Sequence, residues 1–350
     1  MNNTVKQDID FFVSTFKLTE ELRNSSFVVT GATGLIGSTL VRCLLALKAN
    51  IKIICPVRDI NKAERLLYPE DDVREQLKFV DYDINNFDYD VIESVDYIIH
   101  CAAPTSSKFF VEHPVETFNA IVNGTTNILR FAMTHPVKGV VFLSSLEVYG
   151  ELHNDNIAIS ENIQGYVNPL SVRSSYPIAK RAAENLCCLY ANEYDIPVMI
   201  ARLTQTTGAG VSQNDNRVIT QFARLASQGK DIILHTTGES ARPYCYTIDC
   251  ISALLYILLK GTKGKAYNVA NPSTYISVRD MAKYLRDNFN PAINIRYDLK
   301  QGEGYFPSTK QKLSTAELNA IGWTPFFGLS EIFTNIITYI KEEEEKNSLQ

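Results

Sequence analysis

Eight residues near the start of the chain set the tightest limit on its fold. Thr30-Gly31-Ala32-Thr33-Gly34-Leu35-Ile36-Gly37 follows a short β-branched run, Ser26 to Thr30, and precedes an apolar helical stretch, Ser38 to Leu47. Glycines at three-residue intervals let the backbone turn sharply, so that a helix starts directly against the end of a strand. The helix start offers unpaired N–H groups and the positive end of its dipole, which together suit a phosphate. A tight turn by itself asks for none of this context. The strand before and the helix after make the pyrophosphate of a dinucleotide the expected occupant, with Thr33, Leu35 and Ile36 lining it beside the three glycines.

The alternation continues down the chain. Ile51 to Val57 is a second buried-strand pattern, Lys78-Phe79-Val80 begins a third, Tyr97 to Cys101 is a fourth and Gly139 to Leu143 a fifth. Between the last two, Val115, Phe118, Ile121, Val122, Thr125, Ile128, Leu129 and Ala132 mark one helical stripe. Strands apolar along their whole length argue for a parallel sheet covered on both faces. Right-handed crossovers then predict an α/β, Rossmann-type doubly wound sheet. With 350 residues the chain exceeds one typical unit of about 150. The expected division is a helical lead-in over 1–24, a dinucleotide-binding domain over 25–203, and a smaller α/β substrate lobe over 204–350 that interleaves with the sheet. In the lead-in, Ile9, Phe12, Val13 and Phe16 recur at helical spacing and Thr19 to Leu22 forms a second turn. Thr207 to Arg217 is a loop by its Gly, Asn, Asp and Ser content, and Glu342–Glu345 is a solvated helix tail.

Composition removes several classes of function. Hydrophobic residues at 45% and charged residues at 21% supply a large core, so disorder is not the main state. The 34 basic and 39 acidic residues leave no positive excess for nucleic acid or an anionic membrane. No apolar run reaches membrane-spanning length, and Met1 to Asp10 is too polar for a secretory signal. Seven cysteines without CxxC spacing, two of them adjacent at Cys187–Cys188, fit free thiols in a reducing cytoplasm. The five histidines, His100, His113, His135, His153 and His235, show no ligand spacing, so no metal is expected and they read as structural or surface residues.

Two further segments bear on the dinucleotide. The second strand ends in Pro56-Val57-Arg58-Asp59. An acidic residue there bonds the adenosine ribose 2′-OH, whereas an arginine welcomes a 2′-phosphate. Both are present, so NAD and NADP stay open, as does a purely solvated role for Arg58. Asp83-Ile84, after the third strand, is placed to meet the adenine edge or to make a simple turn.

The chemistry-bearing residues come later. Tyr176-Pro177-Ile178-Ala179-Lys180 sets Tyr and Lys four apart on one face of a helix expected to begin after Pro177. An ammonium near a phenol favours phenolate, so the tyrosine can exchange a proton with an alcohol near neutral pH. The fifth strand runs into Leu143-Ser144-Ser145-Leu146-Glu147-Val148-Tyr149-Gly150, where a serine at the carboxyl end can hold the same hydroxyl.

At these motifs the chain resembles the extended short-chain dehydrogenase/reductases of the NAD-dependent epimerase/dehydratase family, which modify nucleotide sugars. The likeness runs from about residue 25 to 340. It rests on TGATGLIG, IIHCAAP, SSLEVYG and YPIAK, then ARLTQTTG, NRV, ARPYCYTID, AYNVAN and LNAIGWTP in family order. Its nearest look is to the decarboxylases and 4,6-dehydratases, then the epimerases. The resemblance implies Ser145, Tyr176 and Lys180 as catalytic residues, with Tyr176 and Lys180 also meeting the cofactor. It implies Gly31, Gly34, Gly37, Asp83, Ala102 and Ala103 around the dinucleotide, and Gln205, Arg217 and Arg242 toward a nucleotide-diphosphate sugar. Asp249 reads as a structural tie.

The resemblance further implies a homodimer through a four-helix interface and a place in surface-polysaccharide synthesis. Glu147 occupies the position of an acid that assists chemistry beyond hydride transfer, or is a polar residue of the pocket wall. Several positions depart from the family. Leu146 stands where dehydratases carry an aspartate and decarboxylases a small hydroxyl residue, Ile121 where an asparagine is usual, Gln205 for an asparagine and Ala209 for a proline. Two enzyme readings follow: a redox-neutral epimerase, decarboxylase or dehydratase type, and an NADPH-dependent net reductase of a nucleotide-linked keto-sugar or a ketose. A non-catalytic dinucleotide sensor is the remote third.

Overall fold

A computed structural model describes residues 1–67, 75–81, 92, 94–152, 155–299 and 309–348. Asp83, Ile84 and His153 lie outside the described residues. The first half runs α1 (Asn3–Thr15), β1 (Ser26–Thr30), α2 (Leu35–Ala46), β2 (Lys52–Val57), α3 (Ile60–Leu67), β3 (Leu77–Asp81) and β4 (Tyr97–His100). It continues with α4 (Ser107–Glu112), α5 (Pro114–Thr134), β5 (Gly139–Ser145), α6 (Ser175–Glu193) and β6 (Val198–Leu203). The second half begins β7 (Gln205–Thr207), α7 (Val218–Ser227), β8 (Ile232–Leu234), β9 (Ala241–Tyr246), α8 (Thr247–Lys260) and β10 (Ala266–Val269). It closes with β11 (Asn271–Ser277), α9 (Val278–Asn288), β12 (Ile295–Tyr297), α10 (Ala316–Ala320) and α11 (Leu329–Ser348).

The main sheet has seven parallel strands in the order β10-β6-β5-β4-β1-β2-β3. The order reverses between β1 and β4, and such a switch point opens a crevice at the strands' carboxyl ends. Both faces of each central strand are covered. On β1, Phe27 and Val29 enter one core and Val28 the other; on β5, Val141 and Leu143 oppose Val140 and Phe142. That two-sided burial is why these strands read as unbroken apolar runs. One core includes α1, α2, α8 and α11, and the other α5 and α6.

The second half is not a separate body. β10 extends the main sheet beside β6, while β11-β9-β7 and β12-β8 form two small sheets. Among the described residues no helix is long and apolar enough to cross a membrane.

Local differences from the sequence reading have physical causes. Helix α2 starts at Leu35 rather than Ser38, because Gly34 itself serves as the extended N-cap and Ser38 N–H already closes onto the Gly34 carbonyl at 2.9 Å. Helix α6 starts at Ser175, two residues before Pro177, since a first-turn proline lacks only an N–H the helix does not use. Val13 and Val115 face outward from their helices. The Glu342–Glu345 run is helical but not a free tail. Glu342 accepts from Thr4 N and Thr4 Oγ1, and Glu343 from Asn2 Nδ2, so acid meets the positive end of α1.

The lead-in helix is tied to the core by one buried carboxyl. Tyr246 Oη donates to Asp8 Oδ2 at 2.7 Å. Burial pushes Asp8 up from 3.8 to about 7, although the Tyr246 hydrogen bond works the other way. The folded state therefore holds this proton more tightly than the unfolded chain. The stability it contributes is full below 3.8, falls as pH rises, and is gone above about 7. Asp8→Asn keeps the acceptor and removes the titration. Its melting temperature relative to wild type should climb across that window, and a flat difference curve would contradict this.

Candidate active site

Strand β1 ends at the switch point, and the chain turns there on Gly31 at φ +68°. A Cβ on Gly31 would fall 2.9 Å from Ala102 N, and one on Gly37 would sit on the Gly31 carbonyl oxygen. Glycine is thus required by space as well as by conformation. Thr30 Oγ1 accepts from Ala102 N and bonds His100 Nδ1, locking the ends of β1 and β4 together. His100 is buried and held down to about 3 by burial, which makes it a neutral structural residue.

The crevice is a cleft of about 1240 Å³. Gly31, Thr33, Gly34, Leu35, Ile36 and Gly37 line it, as do Arg58, Ala102 and Ala103. No side chain caps the α2 N-terminus, so its first N–H groups face the cleft unpaired by a cap. These features fit a dinucleotide: a glycine cradle no Cβ can share, an open helix start, and room for an extended molecule.

Beside the cleft, the carboxyl end of β5 and the first turns of α6 bring Ser145, Tyr176 and Lys180 together. Leu143 lines the cleft, and its carbonyl accepts from Lys180 Nζ at 2.6 Å. Ser145 eases ionisation of the Tyr176 phenol, and its Oγ accepts from Glu147 N at 3.2 Å. Burial holds Lys180 down to about 8, against the pull of Glu184, one turn on in α6. The phenol of Tyr176 is pushed well up, first by burial and then by Glu147, while Ser145 and Arg173 act to lower it. Lys180 is not among the groups that shift this phenol here. Its ammonium donates one hydrogen bond to the Leu143 carbonyl, which leaves two N–H donors, and lies 5.8 Å from the Tyr176 ring centroid.

A buried network fixes this corner. Ser144 Oγ donates to Glu184, and Arg202 on β6 meets the same carboxylate through Nε and Nη2 and reaches Tyr149 Oη at 3.1 Å. Leu146 is buried among apolar side chains and offers no proton. Ile121 is likewise buried core.

Of the residues expected at the substrate, Arg217 lines the cleft, but its guanidinium is engaged by Asp215 and by the Thr206 carbonyl. Gln205 and Arg242 sit on β7 and β9 of the three-stranded sheet and do not line it. Gln205 Oε1 is buried and accepts no hydrogen bond among the described residues. Asp249 is the expected tie, accepting from Phe326 N and Phe327 N at 2.9 and 3.0 Å.

The sequence reading missed Lys62, Arg65 and Arg173, and missed that Met1, Asn2 and Val5 reach the cleft wall. The positive charges on α3 were visible. Their facing the Arg58 end of the cleft is a product of folding.

A cleft with a glycine cradle and an adjacent Ser, Tyr and Lys defines a nicotinamide-dinucleotide oxidoreductase site. The chain belongs to the NAD-dependent epimerase/dehydratase family, whose model matches residues 27–270. It is similar to UDP-glucuronic acid decarboxylase 3 of Arabidopsis thaliana, at 29% identity over 319 residues and 89% of each chain. Its fold is that of the UDP-glucuronic acid 4-epimerase of Bacillus cereus, solved with UDP-glucuronic acid and NAD (TM-score 0.76, 21% identity, 91% of this chain and 99% of that one). It also matches RMD of Pseudomonas aeruginosa, solved with NADPH (TM-score 0.72, 22% identity, 91% and 99%).

Proposed function

We propose that this chain moves a hydride between a carbinol carbon of a nucleotide-diphosphate sugar and a nicotinamide dinucleotide, in a redox-neutral cycle. The convergence of Ser145, Tyr176 and Lys180 beside the glycine-lined cleft carries the reading. When bound, the dinucleotide supplies the hydride acceptor and later the donor. Tyr176 takes the hydroxyl proton, Ser145 orients that oxygen, and Lys180 holds the cofactor ribose. The ketone stage makes the neighbouring C–H acidic or a neighbouring carboxylate labile, and Glu147, whose charge acts on Tyr176, is the residue for that second task. Apolar Leu146 disfavours the dehydratase branch and, somewhat less, the decarboxylase branch. The names of the relatives support a uronic acid sugar, so UDP-glucuronic acid is the first substrate to test.

A specific observation favours the second reading, an NADPH-dependent reductase. Arg58, Lys62 and Arg65 line one end of the cleft, and Asp59 Oδ1 is already taken by Lys62 N at 2.9 Å. A cationic rim whose neighbouring carboxylate, Asp59, does not line the cleft suits a 2′-phosphate better than a ribose diol. Arg58→Asp should weaken NADP binding by about tenfold or more and leave NAD binding no weaker, as read by titration calorimetry. Unchanged NADP affinity would make Arg58 a solvated bystander. Mass spectrometry of the dinucleotide released on denaturation separates the two readings. Near-stoichiometric NAD supports the redox-neutral cycle, and an empty site that prefers NADPH supports the reductase.

By the family resemblance, the outer faces of α5 and α6 form a homodimer, which size-exclusion with light scattering tests. The second half of the chain supplies the substrate side of the cleft, through Arg217 and the loop before it. Seven unpaired thiols support a cytoplasmic setting.

A further inference from the structure

Glu147 is paired with Arg173, a residue the sequence reading did not single out, and the pair reaches Tyr176 through Phe110. Arg173 belongs to the 3₁₀ turn Val172–Ser174 that leads into α6. Its Nη2 donates to Glu147 Oε1 at 3.0 Å, and its guanidinium carbon lies 5.2 Å from the ring centroid of Phe110. Phe110 stacks on Tyr176, with centroids 4.2 Å apart and planes 10° from parallel. Ser175 Oγ donates to the Phe110 carbonyl at 3.2 Å, joining α4 to the start of α6. Carboxylate, guanidinium, phenyl and phenol thus form one packed group.

The pair is shielded, with side chains 22% and 28% exposed for Arg173 and Glu147. Glu147 Oε2 is buried and accepts no hydrogen bond among the described residues. The carboxylate is therefore gripped through Oε1, and Arg173 is what grips it. The two charges have opposite effects on the phenol: Glu147 disfavours its ionisation and Arg173 favours it. A carboxylate beside a phenol that must ionise is a liability unless a cation both holds and offsets it.

We propose that Arg173 is a positioning residue of the proton-transfer site, fixing Glu147 beside Tyr176 so that the phenol faces an ion pair instead of a bare carboxylate. This rests on the reading that Tyr176 exchanges the proton of the substrate hydroxyl. Losing the guanidinium leaves the carboxylate uncompensated and makes the phenolate harder to form. Removing the carboxylate as well relieves the phenol again. A residue that only supports the fold would show no such reversal.

Two readouts test this. In the first, difluorotyrosine replaces Tyr176 and its fluorine resonance is titrated in the full chain, with no substrate present. Arg173→Gln should move the titration upward by about one pH unit, Glu147→Gln should move it downward, and Arg173→Lys should leave it near wild type. In the second, reduction of bound dinucleotide by a nucleotide sugar is followed as a half-reaction. Arg173→Gln should slow it about tenfold near neutral pH with KM nearly unchanged, and adding Glu147→Gln should restore much of the rate. A titration that stays put in Arg173→Gln overturns the proposal, as does a loss confined to KM. Should no nucleotide sugar be turned over by wild type, the proposed function fails while the fluorine titration still decides the role of Arg173.

Discussion

Tyr176→Phe should lower turnover by about two to four orders of magnitude while the protein folds and binds its dinucleotide normally. The ring is the structural part of this side chain. It is buried and stacked on Phe110 at 4.2 Å, and phenylalanine keeps all of that contact. What is lost is the hydroxyl, whose ionisation Ser145 favours and which has no other assigned task. Near-native melting temperature and dinucleotide affinity, with activity gone, are the expected signature. An activity drop of less than about threefold would remove the proton-transfer role from Tyr176.

The second large effect belongs to Gly37. An added methyl at this position collides with the Gly31 carbonyl and lies within 2.9 Å of Ala32 Cα, both backbone atoms that cannot swing aside. Relief requires α2 to back away from the end of β1, which opens the cradle. Overpacking of this kind costs about 1–3 kcal/mol, equivalent to a factor of about 5 to about 150 in binding. Gly37→Ala should therefore lose dinucleotide affinity by that factor or more in calorimetry, and lose some thermal stability as well. Wild-type affinity in this variant would mean that the cradle is not where the pyrophosphate sits.

How much of this was legible in the sequence depended on range. Val28 and Ile98 face one core while Phe27 and Ile99 face the other, so the central strands announced a doubly covered sheet without any tertiary information. The glycine loop carried its own context, and Tyr176 and Lys180 sit one helical turn apart, so their shared face follows from spacing. The serine was readable because β5 ends there.

Other features depend on long-range register. Arg173 meets Glu147 across 26 residues, and neither neighbourhood contains a sign of the other. The acidic run at the C-terminus reads as solvated because its partner, the start of α1, is more than 330 residues away in sequence. Gln205 and Arg242 were placed on family order alone. The strand pairing of β7 with β9 sets them on a small sheet whose residues at those positions do not line the cleft. Lys180 illustrates a subtler limit. Its spacing from Tyr176 is right, but which acceptor its ammonium takes is settled by the Leu143 carbonyl at the end of β5.

The most direct test of the central claim follows one hydrogen. UDP-glucuronic acid and related nucleotide sugars, deuterated at the carbinol carbon to be oxidised, are incubated with the protein and its dinucleotide, and products are read by NMR and mass spectrometry. The account predicts turnover with the deuterium returned to product carbon and no net change in the dinucleotide. Deuterium accumulating on free reduced dinucleotide, or appearing in solvent, would contradict the redox-neutral cycle, and absence of turnover with every nucleotide sugar would contradict the account as a whole.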